Sequence, residues 1–198
     1  MKQLSFKQYR GIDVLFLCVL TAVFEALATY ATVDWFNLQA MAVSITPAMI
    51  CISLMRWGGY AIFPALAGSF AYCYAQGASI KHFVIYCGGC CLCLLSLPLL
   101  KLLKKDAVRV EFAKRTVFAI FTYLFVTVGR WIFSLFFEFS FKSILAFIFT
   151  DILSLLFAIV VLFIAKNVDG LFEDQKSYLF RLERERLEEQ RAKSNDPF

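Results

Sequence analysis

Long apolar stretches separated by short polar ones dominate the chain. Six of them are predicted to be membrane-spanning helices, since a helix needs roughly 20 apolar residues to cross a bilayer. The six predicted spans are 13–30, 40–55, 60–75, 83–100, 116–137 and 143–166. Pro47 interrupts the second span, and a tight turn at Gly58-Gly59 separates it from the third. The pattern predicts an all-α polytopic membrane protein, a six-transmembrane-helix bundle.

Composition supports this class. The 198 residues are 61% hydrophobic and only 18% charged, with a mean hydropathy of +0.71, which is more apolar than a soluble domain of this size. The apolar run that begins near Ile12 is followed by no small-residue cleavage site. It is therefore predicted to be a retained first span and not a cleaved signal peptide.

The positions of the basic residues predict the orientation. If both termini are cytoplasmic, 17 of the 20 lysines and arginines lie on the inner side, as the excess of positive charge in cytoplasmic loops requires. Only Lys81 and Lys142 fall in outer loops, and Arg130 lies inside a span. We therefore expect a multi-pass protein of the cell membrane whose partners include the lipid bilayer and no nucleic acid.

Two charges lie deep inside the last two spans. Arg130 comes about eight residues before the predicted turn at 138–142, and Asp151 comes about nine after it, so at 1.5 Å per residue both lie roughly 12–13 Å below the same surface. A charge at this depth costs at least about 2.5 kcal/mol and usually has a partner. Glu25 lies at a similar depth in the first span, and the three side chains are predicted to share one layer.

This layer has two interpretations. The charges neutralise one another in a structural cluster, or they line a solvated pocket open to the outside, in which two carboxylates and one guanidinium leave room for a further cation or a proton. In the second case Arg130 holds a carboxylate bidentately, Asp151 or Glu25 holds an amine, and Trp35 and Phe36 supply flat apolar area. That combination favours an aromatic or zwitterionic metabolite.

Little in the sequence indicates a metal or a cofactor. The chain has one histidine and seven cysteines, and all the cysteines lie in apolar segments, where they are expected to pack as small hydrophobes. The C-x-x-C pattern within 87–93 leaves metal or redox chemistry as the alternative. We expect no cofactor and no metal site.

The chain changes character after the last span. Residues 1–170 are predicted to form the membrane domain, and 171–198 a charged cytoplasmic helix. Five residues fall near one face of that helix: Leu171, Tyr178, Leu179, Leu182 and Arg186. The tail is either a solvated extension of the last span or a docking helix for a cytosolic partner.

Two stretches resemble a known family. Ala22-Val-Phe-Glu-Ala26 matches an A-x-x-x-A motif in the first span. Ile45-Thr-Pro47-Ala48, then Gly58-Gly59 and Pro64-Ala-Leu-Ala-Gly68, match a proline, glycine-turn and glycine sequence. With inside termini and an aromatic first outer loop, residues 10–166 resemble the S component, the substrate-binding membrane subunit, of energy-coupling-factor (ECF) transporters.

The resemblance implies a function and partners. An S component captures a small water-soluble, vitamin-like metabolite from outside and docks on a transmembrane T component driven by two cytosolic ATPases. Docking is then assigned to Ala22 and Ala26. The substrate-binding residues, with Glu25 added by the depth argument, are Glu25, Trp35, Phe36, Asn37, Tyr86, Arg130, Trp131 and Asp151. A charge at Glu25 inside the docking motif departs from the family pattern, and so does the long tail.

Two other functions have less support in the sequence. A membrane-embedded sensory or regulatory module would signal through the C-terminal helix. An integral-membrane enzyme is not expected, because the sequence has no His, Asp and Glu cluster with metal spacing and no G-x-S-x-G or P-loop motif.

Overall fold

The structure is a computed structural model that describes residues 6–32, 43–137, 143–168, 170–173, 175, 177–181, 184 and 188. Every regular element within these residues is helical. The helices are α1 (Phe6–Tyr30), α2 (Thr46–Trp57), α3 (Ile62–Ala75), α4 (Ile80–Cys90), α5 (Ser96–Leu102), α6 (Lys105–Val110), α7 (Phe112–Leu135) and α8 (Ser143–Ala165). Short 3₁₀ segments, Gly58–Ala61 and Cys91–Leu95, join α2 to α3 and α4 to α5. The predicted all-helical class is confirmed.

Five stretches of the described chain are long and apolar enough to cross a membrane. They are Phe6–Tyr30, Thr46–Ala75, Ile80–Leu102, Phe112–Leu135 and Phe147–Ala165. The length and apolar composition of these helices are compatible with a membrane protein. The count of six spans, the side on which each terminus lies and the cytoplasmic helix at the C-terminus stay predictions.

The stretch 46–75 is not one straight helix. Gly58 has φ +57°, which takes the chain out of the helical conformation between α2 and α3. Gly68 lies so close to Thr46 that a Cβ at Gly68 would overlap the Thr46 side chain, whereas in a straight helix these residues would be roughly 33 Å apart. The two helices therefore fold back on each other as a short antiparallel hairpin.

Pro47 begins a helix and does not interrupt one. It lies in the first turn of α2, where its missing N–H is no loss because the first N–H groups of a helix have no intrahelical acceptor. Residues 101–115, which lie between the fourth and fifth predicted spans, also contain regular structure, namely the end of α5, α6 and the first turn of α7.

Glu25 of α1 caps the start of α2. Its Oε2 atom accepts hydrogen bonds from the backbone N–H groups of Ile45 and Thr46, both at 2.9 Å, and from the Thr46 hydroxyl at 2.7 Å. Glu25 is fully buried. A carboxylate at this position satisfies otherwise unpaired N–H groups and complements the positive end of the helix dipole.

We expect Glu25→Ala to destabilise the fold and Glu25→Gln to be much milder. Alanine leaves the Ile45 N–H without its acceptor and the Thr46 N–H with only the Ser44 hydroxyl at 3.2 Å. An unsatisfied buried group costs about 1–3 kcal/mol, whereas glutamine keeps an acceptor oxygen. Thermal unfolding in detergent measures both. Equal melting temperatures for Glu25→Ala and the wild type would show that the cap is not needed.

Helix α1 has one packed face and one open face. Leu17, Thr21 and Glu25 are buried towards the rest of the bundle, and a Cβ at Gly68 of α3 would touch Thr21. The opposite face exposes large apolar side chains at Ile12, Leu15, Phe16, Val19, Val23, Phe24 and Leu27. This face is left for lipid or for another protein.

Candidate functional site

Arg130 of α7 and Asp151 of α8 form an ion pair between Arg130 Nη1 and Asp151 Oδ2. Only 6% of Arg130 and 4% of Asp151 is exposed. The two charges that the sequence places at one depth therefore meet inside the bundle. A hydrogen bond of 2.9 Å from the Tyr123 hydroxyl to the carbonyl of Ile148 also joins α7 to α8.

Two stacked tyrosines lie beside the Arg130 guanidinium. The Arg130 guanidinium lies over the Tyr86 ring, with Cζ 4.4 Å from the ring centroid. Tyr86 stacks on Tyr72, with centroids 5.0 Å apart and an interplanar angle of 26°. A cation over an aromatic face gains about 0.5–2 kcal/mol. Helices α3, α4, α7 and α8 thus each supply one member of the site: Tyr72, Tyr86, Arg130 and Asp151.

Two glycines set the position of Arg130. Gly89 of α4 and Gly129 of α7 are in backbone contact, because a Cβ on Gly129 would overlap the Gly89 carbonyl and a Cβ on Gly89 would overlap the Arg130 backbone. Small residues allow such close helix crossings in membrane proteins. Tyr86 lies about one turn from Gly89, so the crossing brings its ring beneath the guanidinium.

The site keeps unused hydrogen-bonding capacity. An arginine side chain has five N–H donors, and Arg130 Nε is buried with no hydrogen-bond partner among the described residues. A buried donor without an acceptor costs about 1–3 kcal/mol. An acceptor from outside the described chain, such as a solute carboxylate or carbonyl, would remove that cost.

The other predicted residues differ in their relation to this site. Trp131 directly follows Arg130 and is half-buried. The hydrogen bonds of the Glu25 carboxylate are with the start of α2, and none of them reaches Arg130 or Asp151. Ala22 and Ala26 are half-buried on α1. Residues 35–37, the predicted lid Trp35, Phe36 and Asn37, lie outside the described residues.

Sequence reasoning missed Tyr72, Gly89 and Gly129. Each belongs to the site because of how its helix is rotated, which hydrophobic length alone does not fix. The Gly88-Gly89 pair inside an apolar run is a signal of a close helix crossing.

The seven cysteines carry free thiols. Cys90 Sγ lies 3.0 Å from the carbonyl oxygen of Cys87, a local contact within one helical turn. Among the residues that the structure describes, no three His, Cys, Asp or Glu side chains are grouped to hold a metal ion.

The chain was also compared with known proteins. No family model matches it, and no curated protein or solved structure is significantly similar to it. Inference about its function therefore starts from the residues of the site.

Proposed function

We propose that this chain is a membrane-embedded solute-binding protein, and that it serves as the substrate-capturing subunit of an ECF-type transporter. The observation that carries the proposal is the buried Arg130–Asp151 pair, in which Arg130 Nε has no acceptor among the described residues. An ionisable pair inside a membrane domain marks a solute or ion pathway by default.

The chemistry of the pair indicates the class of solute. Arg130 has donors left for a carboxylate or carbonyl, since Asp151 accepts from Nη1, and planar guanidinium–carboxylate contacts are bidentate in many sites. The stacked rings of Tyr86 and Tyr72 add a flat face beside the charge. A small anionic or zwitterionic metabolite with a planar part fits these groups, and Trp35, Phe36 and Asn37 remain the proposed lid.

The transport part of the proposal depends on α1. Its open face carries large apolar side chains, and the small residues Ala22 and Ala26 lie half-buried on this helix. Small residues at a helix surface permit close approach of a partner helix. The proposed partners are a T component and, through it, two cytosolic ATPases.

We expect Ala22→Trp to prevent co-purification of these partners while the solute stays bound. A bulky side chain would hold the partner helix away from α1, but it does not touch the Arg130 pair. The measurement is affinity purification from the native membrane followed by mass spectrometry, with Leu156→Trp as the control, because Leu156 is 57% exposed on α8. Recovery of the partners in equal yield with both variants would remove the docking assignment.

A second candidate is a regulatory module that signals through its C-terminal segment. One observation favours it: the start of that segment is bound to the ends of the helices. Glu173 pairs with Arg109 in the last turn of α6, and Arg56 in the last turn of α2 donates a 3.1 Å hydrogen bond to the carbonyl of Gly170, directly before the segment. Glu173 also pairs with Arg181 within the segment itself. If the purification above yields a kinase or cyclase and no T component, this candidate replaces the transporter.

A further inference from the structure

A cavity of about 410 Å³ lies between the first turns of α1, the turn from α2 to α3 and the end of α5. Four cations line it, Arg10, Arg56, Lys101 and Lys105, and no acidic residue does so among its described lining residues. Its volume is within the range of roughly 300–1,000 Å³ usual for small-molecule sites. The cavity is therefore large enough for a polar headgroup.

The positive charge of this cavity is only partly compensated. Arg56 is paired with Asp13 through contacts of 2.8 Å from Nη2 and 3.1 Å from Nε. Arg10 and Lys101 form no ion pair with any described residue, and the Arg10 guanidinium lies 4.2 Å from the centroid of the Tyr60 ring. Two cations thus remain for an anion from outside the chain.

An apolar groove of about 350 Å³ continues from the cavity along α1 and α3. Arg10 and Tyr60 line both. The groove adds one further cation, Lys7, and otherwise small or apolar residues, namely Gly11, Val14, Leu15, Cys18 and Phe63. Leu15 is 65% exposed and Phe63 is 51% exposed. A Cβ at Gly11 would meet nothing within 4 Å. The groove is therefore unobstructed beside this residue.

We propose that the cavity and the groove together bind one anionic phospholipid, with its phosphate at Arg10 and Lys101 and an acyl chain against Leu15 and Phe63. Basic pockets between transmembrane helices bind anionic lipid headgroups. A free phosphate would use the cavity alone and leave the apolar groove unfilled, whereas a lipid uses both. This inference is independent of the solute site proposed at Arg130.

The first test is native mass spectrometry of the purified full chain with added palmitoyl-oleoyl phosphatidylglycerol or phosphatidylcholine. Phosphatidylglycerol is expected to bind and phosphatidylcholine to bind much more weakly. Arg10→Gln and Lys101→Gln should each weaken phosphatidylglycerol binding about fivefold. Lys114→Gln is the matched control, since Lys114 is already paired with Glu111 at 2.8 Å. This variant should bind phosphatidylglycerol as tightly as the wild type.

A second variant tests the groove. Gly11→Leu places a side chain in the open space beside α1, and it should weaken long-chain phosphatidylglycerol while a short-chain phosphatidylglycerol binds as before. Inorganic phosphate at equal concentration should displace neither lipid. The proposal would be overturned by any of three results: equal binding of the two headgroups, undiminished phosphatidylglycerol binding by the double variant Arg10→Gln/Lys101→Gln, or displacement of the lipid by inorganic phosphate. If the double variant does not fold, Gly11→Leu decides, because unchanged binding of the long-chain lipid by Gly11→Leu would also overturn the proposal.

Discussion

Asp151→Ala is expected to destabilise the protein by about 3–5 kcal/mol, because removing one partner of a buried ion pair leaves the other charge uncompensated. Arg130 is only 6% exposed, so bulk water solvates the guanidinium poorly once the carboxylate is removed. The stacking of the guanidinium on Tyr86 does not neutralise it. Thermal unfolding in detergent, together with the yield of monodisperse protein, measures the loss.

The double variant Arg130→Met/Asp151→Leu is the matched control. Replacing a whole buried pair by apolar residues of similar size is often neutral or stabilising, so the double variant should recover most of the stability that Asp151→Ala loses. The cycle of single and double variants gives the coupling energy of the two side chains. Additive losses would show that the pair does not act as a unit.

Gly129→Ala is expected to destabilise the bundle by about 3 kcal/mol, the upper part of the usual range for overpacked cores. The added methyl group would overlap the carbonyl of Gly89, and a backbone atom cannot move aside as a side chain does. Helices α4 and α7 would have to separate, which moves Arg130 away from Tyr86. We expect a lower melting temperature and, in the surviving protein, loss of solute binding.

Gly59→Ala serves as the control for Gly129→Ala. A Cβ at Gly59 meets nothing within 4 Å, so the same change there should leave the melting temperature within a few degrees of the wild type. A melting temperature for Gly129→Ala as high as that of Gly59→Ala would contradict the close crossing of α4 and α7.

The meeting of Arg130 and Asp151 could be predicted from the sequence because it depends on depth. Residue count along a helix fixes depth through the constant rise of 1.5 Å, and two opposite charges at one depth in neighbouring apolar helices have a strong reason to pair. The turn at Gly58 was predictable from local sequence, because consecutive glycines after an apolar run favour a change of chain direction.

Glu25 shows where the same reasoning ends. Its depth resembled that of Arg130, but depth does not give the direction in which a side chain points around the helix axis. The carboxylate lies at the start of α2, because backbone N–H groups there need acceptors. Tyr72, Gly89 and Gly129 were missed for the same reason, since helix rotation depends on packing across the whole bundle.

Native mass spectrometry of the wild type and of Arg130→Met/Asp151→Leu, both purified without added solute, tests whether Arg130 and Asp151 form a solute site. The double variant keeps the apolar volume of the site but has no charge for a solute. We expect a small anionic or zwitterionic molecule to co-purify with the wild type and none to co-purify with the folded double variant. The same bound molecule on both proteins, or no bound molecule on either, would contradict a solute site at Arg130 and Asp151.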